Sequence, residues 1–516
     1  MPQDISIPCD ILHNDCNAAK EHCVVVGRVG RDILESTLAA CPAGVLWLVD
    51  EAYSKGIHYN GLLAVPVESV STDDFISVVT RFVFRISGAL PGIKVSRSIE
   101  FLHSERYEVL GKQMKGLFLS AVSFMPTQRA RGVPASFHRQ DRVLRNLRKI
   151  ANTLLPKDTR SALSGMPAVV LGAGPSLDVS LPWLNSFQDR CLIFATDSAL
   201  GACARCGIVP DFAVNIDPDK SAQKTWPEEL KVERLLLSLQ STEDWFERAK
   251  GSSWMLPMGS LTEHWVEGQG FDLGERIAAS NAGFTALAVA DFFGCTPLLL
   301  LGMDMAVDKE SEGGTHSLHV SDTENAEDVA SVRESAEVRY IAGNYKDEVP
   351  TIFYPFYKEM NAWLEKEDKA VVNINDRGAA FSNSTLVHPD EMSVWLDKHL
   401  PQTSLSKGSL FQQLNTLDSE KRVGDDGPFL SEVNAAAHRG LSLLEPFSSS
   451  PRDQDWAIAV THSLRLAIQD EAMQGILGVY FMDRLASLVA HQLPSLGDVE
   501  QLFDETISLF QVASAC

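Results

Sequence analysis

Between residues 168 and 304, polar side chains able to hold an anion or move a proton recur directly behind short apolar runs. Leu171-Gly-Ala-Gly-Pro-Ser-Leu-Asp178 is the richest of these stretches. Gly172 and Gly174 let the backbone approach a ligand closely, and Pro175 suits the first turn of a helix. The free N–H groups of such a turn, reinforced by the helix dipole, make a seat for phosphate or carboxylate. Ser176 and Asp178 either cap the helix or contact the ligand. Capping accounts for one of them and leaves the double glycine unexplained. The Lys-Ser/Thr ending of a P-loop is missing.

Thr196 and Asp197, Asn215 and Asp217, and Asp304 occupy equivalent places behind later apolar runs. An acid there caps the next helix or accepts from ribose hydroxyls, so at least one of the three should meet ligand and at least one should be structural. Ser280-Asn281-Ala-Gly283 opens another helix, Phe284–Phe292, whose N-terminus can also face an anion. Gly313-Gly-Thr315-His316-Ser317 places a histidine on a glycine-rich loop, where it is suited to general acid–base work or is an ordinary surface residue. Four of the eight tyrosines fall between Tyr340 and Tyr357, with Tyr345 beside Gly343-Asn344. They either position a phosphate or stack on a base or sugar, or they pack a core or interface. Arg377, in Asn373-Ile-Asn-Asp-Arg-Gly378, is a candidate anion partner.

These residues need a frame. PAVVLGAG, RCLIFATD, DFAVNID, RLLLSL and PLLLLGMD are apolar runs alternating with helical stretches. That order predicts a doubly wound α/β domain, in which ligands lie outside the carboxyl ends of the strands. Before it, CVVVGRVGRDILESTLAA, GVLWLVDEA and GLLAVPVES read as strand, helix, strand and strand, hence a Rossmann-like parallel sheet. Gly27-Arg-Val-Gly30 and Asp50 sit where a dinucleotide site would, but the GxGxxG pattern is not met. From Met125 to Met166 nine basic residues face two acids. Val143, Leu144, Leu147, Ile150 and Leu154 recur there at helical spacing, so the segment reads as an amphipathic connecting helix whose basic face pairs with acidic neighbours or attracts an anionic substrate. Beyond residue 400 strand signals stop, and stripes such as Trp456, Val460, Leu464 and Ile468, or Val499, Leu502, Phe503 and Phe510, predict a helical bundle. The expected domains are therefore an N-terminal Rossmann-like α/β domain (1–125), a basic helical linker (126–165), a central α/β domain (166–398) and a C-terminal helical domain (399–516).

Composition narrows the function. The 516 residues carry 45 Lys and Arg against 68 Asp and Glu, a formal charge of −23. So acidic a chain argues against nucleic-acid binding, which needs clustered cations. No basic region followed by an apolar stretch opens the sequence, so no secretory signal is expected. Ala282–Met303 contains Asp291, Gly294 and Pro297, and reads as helix, turn and buried strand rather than a membrane span. Nine cysteines, including Cys203-Ala-Arg-Cys206, lack metal-site spacing and read as reduced cytoplasmic thiols.

The series RNLRKIANTL, GMPAVVLGAGPSLD, ATDSALGACARCGIVPDFAVNID, SNAGFTALAVADFFGC, LLLLGMDMA, GGTHS and VVNINDRGAA resembles the motility-associated factor (Maf) glycosyltransferases over about residues 140–390. The resemblance implies an N-terminal Rossmann-like domain, a central domain similar to bacterial sialyltransferases and a helical C-terminal domain. It implies transfer of a nonulosonic acid, such as pseudaminic or legionaminic acid, from its CMP-activated donor to Ser or Thr of flagellin, in the cytoplasm and before export. Gly172, Gly174, Pro175 and Ser176 match the nucleotide-cradling loop, Asp197 and Asp217 the polar strand ends, Asn281 the start of the following helix and His316 the loop histidine. Val371-Val-Asn-Ile-Asn-Asp-Arg-Gly378 departs from the pattern, where a Thr and an acid before the glycine are expected.

On this reading the transfer inverts at the anomeric carbon. Amides from Gly174 to Leu177 hold the phosphate, and Thr196, Asn215, Thr315 and Tyr345 complete the donor site. His316, or failing that Asp304, takes the acceptor's proton. CMP is a good leaving group, so the chemistry requires no metal, and no membrane insertion is expected. A second resemblance of the central domain is to archaeal 6-hydroxymethylpterin pyrophosphokinases, which would use ATP and magnesium with Asp197, Asp217 and Asp304 as ligands. A third reading is a non-catalytic nucleotide-sugar-binding protein.

Overall fold

The computed structural model describes residues 4–8, 22–26, 30–40, 45–49, 55–57, 59, 62–66, 99–104, 136–249, 253–277, 279–307, 338–366, 369–419, 427–467, 470–485 and 495–515. The chain divides into two compact units, 142–432 and a unit discontinuous in sequence, 1–141 with 433–515.

In the discontinuous unit β1 (Asp4–Pro8), β2 (His22–Val26), β3 (Val45–Val49), β4 (Leu62–Pro66) and β5 (Ile99–Ser104) form one sheet in the order β1-β5-β2-β3-β4. Every pairing is parallel except β1 with β5. The expected strand–helix–strand order holds, with the helix Arg31–Ala40 crossing from β2 to β3 and Leu34, Val45, Trp47 and Val49 fully buried. β1 and β5 add two strands that the apolar runs did not announce. Gly27 and Asp50 lie outside the described residues. The C-terminal part of this unit is helical, through Gln454–Ala467, Glu471–Tyr480 and Leu496–Ser514. Trp456, Val460 and Leu464 form a buried stripe on the first of these helices. Trp456 meets Phe503 of the last helix edge-to-face at 5.2 Å. Ile468 lies outside the described residues.

The unit 142–432 is built on an eight-stranded sheet. Its strands are β6 (Ala168–Leu171), β7 (Leu192–Thr196), β8 (Phe212–Asn215), β9 (Arg234–Leu237), β10 (Ser253–Met255), β11 (Leu298–Leu301), β14 (Val371–Ile374) and β15 (Ser384–Val387). A separate hairpin pairs β12 (Arg339–Ala342) with β13 (Glu348–Thr351). The sheet order is β10-β9-β8-β7-β6-β11-β14-β15, and every pairing is parallel.

The near-continuous apolar runs follow from burial on both faces, as a parallel sheet requires. Ala168, Val170, Phe194, Phe212, Val214, Leu298 and Leu300 share one core with Phe284, Leu287 and Phe293. Val169, Leu171, Ile193, Ala213, Leu299 and Leu301 share the other with Leu177, Leu181 and Leu200. Ala282–Met303 divides as expected into the helix Ala282–Phe292, a turn at Gly294 with φ +79° and the buried strand β11.

The basic segment forms the helix Ser136–Leu147, with Val143, Leu144 and Leu147 buried, and the division between the two units falls within it. The helix Lys407–Ser419 belongs to the central unit: Lys407 Nζ donates to buried Asp211 at 2.7 Å, and Phe411 lies 5.4 Å from Phe212. Cys191, Cys203, Cys206 and Cys295 are free thiols. Among the described residues no helix is long and apolar enough to cross a membrane.

Candidate functional site

The chain runs outward from β6 through β7, β8, β9 and β10, then returns to place β11 on the other side of β6. The loops after β6 and β11 thus diverge at the switch point of the sheet, where a crevice for ligands is expected. Here the first of these loops is filled by the second. A Cβ on Gly172 would collide with the Gly302 carbonyl and lie 2.7 Å from Met303 Sδ. One on Gly174 would lie 2.5 Å from an Asp304 carboxylate oxygen. The double glycine is explained by loop-on-loop packing.

Asp304 ties this packing together. Its Oδ2 accepts from Ser176 N at 2.8 Å, and its Oδ1 accepts from Ser176 Oγ and from Asn375 Nδ2, the latter at 2.7 Å. Its own carbonyl accepts from Ala379 N at 2.8 Å. The side chain is buried, and burial pushes its carboxyl above the usual carboxylate range against the pull of those donors. Two expectations are corrected. Asp304, expected as the alternative base, is buried with its carboxylate oxygens spent on Ser176 and Asn375. The amides meant to seat the phosphate have internal acceptors: Gly174 N bonds Gly302 O at 2.8 Å, Ser176 N bonds Asp304, and Leu177 N bonds Gly174 O at 3.0 Å. Pro175 has no N–H to offer. Ser176 makes no side-chain cap on the helix Leu177–Leu184; its backbone is already helical and its hydroxyl donates to Asp304.

One strand along, Asp197 is also buried, at the end of β7. Its Oδ2 accepts from Asn215 Nδ2 at 2.8 Å, and its Oδ1 from Ser198 N at 2.6 Å and Lys220 Nζ at 3.3 Å. Asp217 is the open acid of this group, and its Oδ1 accepts from Asp219 N at 3.0 Å.

The unspent polar capacity of this edge lies beside these groups. Thr196 Oγ1, Asn215 Oδ1 and Asn281 Nδ2 are buried atoms without a hydrogen-bond partner. Asn281 caps the helix Ala282–Phe292 by accepting from Phe284 N at 2.9 Å, which leaves its amide donor over. Met303 brings that helix start to the end of β6, since a Cβ on Gly283 or on Gly172 would lie 2.7 Å from the same sulfur. Orphaned buried polar atoms are costly, and these three stand at strand ends or a helix start on the edge where α/β sheets take ligands.

The β12–β13 hairpin joins this end of the sheet. Asn344 N donates to Gly378 O at 3.0 Å, and half-exposed Tyr345 donates its hydroxyl to Asn375 O at 3.0 Å. Tyr357 OH donates to Ala380 O at 3.0 Å. Arg377, the expected anion partner, pairs with its neighbour Asp376 through Nε–Oδ1 at 2.8 Å and Nη2–Oδ2 at 2.6 Å. Thr315 and His316 lie outside the described residues. Asn375, Lys220 and Glu359 were not singled out from sequence. Asn375 stood in a quoted loop, and the signal that elects it, β14 lying beside β11, is topological. Among the described residues no group of three His, Cys, Asp or Glu forms a metal site.

Known proteins are similar at three levels. Residues 141–310 match the family model described as 6-hydroxymethylpterin diphosphokinase MptE-like. An uncharacterised protein of Treponema pallidum (strain Nichols) is 34% identical over 86 residues, 16% of this chain. The match spans only 41% of that relative's length. The solved structure of a Maf glycosyltransferase from Magnetospirillum magneticum AMB-1 superposes with a TM-score of 0.52 at 12% identity, covering 96% of this chain and 78% of the other. At that identity the likeness is one of fold, and at that level it bears out the resemblance read from the motifs.

Proposed function

We propose that this chain is a glycosyltransferase that moves a nonulosonic acid from a CMP-activated donor to Ser or Thr hydroxyls of flagellin, with inversion and in the cytoplasm. The observation that carries the reading is the set of unpartnered atoms on Thr196, Asn215 and Asn281, at the ligand edge of a sheet with the fold of a Maf glycosyltransferase. A cytidine nucleotide offers what they lack. Its exocyclic amine and ribose hydroxyls can donate to Asn215 Oδ1 and Thr196 Oγ1, and its carbonyl or phosphate oxygens can accept from Asn281 Nδ2.

The site is centred on these residues and on Asp197 and Asp217, with Gly172, Gly174, Pro175, Ser176, Leu177 and Asp304 setting the shape of the loops beneath it. Thr315 and Tyr345 extend the donor site, and His316 is a candidate to receive the acceptor's proton. CMP is a good leaving group, so the transfer calls for no metal.

The family model over residues 141–310 favours a second reading, diphosphate transfer from ATP to a pterin with magnesium. Melting temperature separates the two, since a ligand that binds only the folded state raises it. Under the first reading CMP raises it, and incubation with CMP-nonulosonate adds the sugar's mass to flagellin. A shift with ATP and 6-hydroxymethylpterin but none with CMP would replace the first reading by the second. CMP binding without transfer to flagellin would remove the acceptor.

A further inference from the structure

Two helices over the same face of the large sheet run side by side in the same direction. Phe284 of Ala282–Phe292 meets Trp363 of Tyr354–Lys366 edge-to-face at 5.7 Å. Four residues earlier in each segment, just ahead of the first helix and within the second, Ser280 Oγ donates to Glu359 Oε2. Each helix leads into a strand of the parallel sheet, β11 and β14, so both begin at the edge where the strands end. The Glu359 carboxylate therefore stands at the ligand edge, anchored one residue before Asn281 and its unpartnered amide.

The other carboxylates of this edge are differently placed. Asp304 and Asp197 are buried and spent on internal donors. Asp217, the open acid, accepts from Asp219 N on one oxygen and has the Lys220 ammonium 4.0 Å from the other. Glu359 is exposed at its flank, held by Ser280 alone, and paired with no cation among the described residues. Its carboxyl is pushed above the usual range by the crowding around it, while Ser280 pulls the other way. A carboxylate that is anchored by a neighbouring residue, exposed at its flank and raised toward neutrality is equipped to take a proton from a hydroxyl.

We propose that Glu359 is the group that accepts the proton of the acceptor hydroxyl, an inference that rests on the transfer reaction proposed above. The hydroxyl oxygen forms the new bond to the anomeric carbon and its proton passes to Glu359. The bond from that carbon to the CMP phosphate oxygen breaks, its electron pair leaving with CMP. Glu359 then releases the proton to water.

The test compares wild type, Glu359→Gln and His316→Ala in full-length protein, using CMP-nonulosonate and flagellin. Gln keeps an oxygen for Ser280 and cannot take the proton. A loss of about 10²–10⁴-fold in kcat is expected, with the melting temperature and the CMP-induced shift unchanged and the acidic limb of the pH–rate profile abolished. Wild-type kcat in Glu359→Gln would overturn the assignment and leave the transferase reading intact. A loss that tracks a lowered melting temperature or a vanished CMP shift would make the residue structural, and loss of the acidic limb in His316→Ala alone would give the proton to His316. Absence of both CMP binding and transfer in wild type would overturn the underlying reading itself.

Discussion

Asp304 concentrates the physical cost of the switch point on one side chain. Three donors favour its charged form, and burial opposes them more strongly. A carboxyl raised in the folded state keeps its proton at pH values where the unfolded chain, near about 3.9 for Asp, has already lost it. Its contribution to stability is therefore full below the unfolded pKa and declines as pH rises toward the folded one. Asp304→Asn removes that share, so urea unfolding from pH 4 to pH 7 should show a flatter decline of stability than in wild type. An unchanged slope would mean the carboxyl is better solvated than its burial indicates. Gly172 makes the companion prediction. Its missing Cβ leaves room for the Gly302 carbonyl and Met303, so Gly172→Ala should cost about 1–3 kcal/mol by overpacking, read from the same urea titration.

At the scale of elements, two positions on this edge pair a group spent on the fold with one left over. On β7 these are Asp197 and Thr196, and at the start of Ala282–Phe292 they are the oxygen and nitrogen of the same Asn281 side chain. That division separates ligand binding from folding. Thr196→Val removes an unpartnered hydroxyl, so it should leave the melting temperature unchanged or higher while weakening CMP binding about tenfold, the worth of one hydrogen bond at roughly 1.5 kcal/mol. Asn281→Asp keeps the capping oxygen and replaces the donor with a negative charge, so the helix should hold while the CMP-induced shift disappears. If both variants lost stability together with binding, these atoms would be part of the scaffold.

The same scale explains what the residues disclosed in advance. Apolar runs ending in Thr196, Asn215 and Asp304 announced the strands, the parallel order and the edge, because a sheet covered on both faces must be apolar along its length. They could not show that Ser176 and Asn375, far from Asp304 in sequence, would converge on its carboxylate. A glycine pair reads the same way whether a phosphate or a neighbouring loop occupies the space its side chains vacate.

For the whole molecule, the unit 142–432 interrupts a unit made from both chain ends. Such an insertion is tolerated when the inserted part has its own core and its ends leave at the surface of the host. Here the eight-stranded sheet is covered on both faces by residues of its own unit, from Leu155 through Leu414 on one face and from Val169 through Leu400 on the other. The helix Ser136–Leu147 supplies its entry, with Asn146 Nδ2 donating to Leu239 O at 2.9 Å and Ser241 O at 3.0 Å beyond β9. A fragment comprising residues 136–432 should accordingly unfold in one cooperative transition and retain the CMP-induced rise in melting temperature. Calorimetry with and without CMP checks both. A fragment that melts without a heat-absorption peak would show that the central sheet depends on the flanking chain for its fold. A fragment that melts cooperatively but is indifferent to CMP would place part of the donor site in residues 1–135 or 433–516.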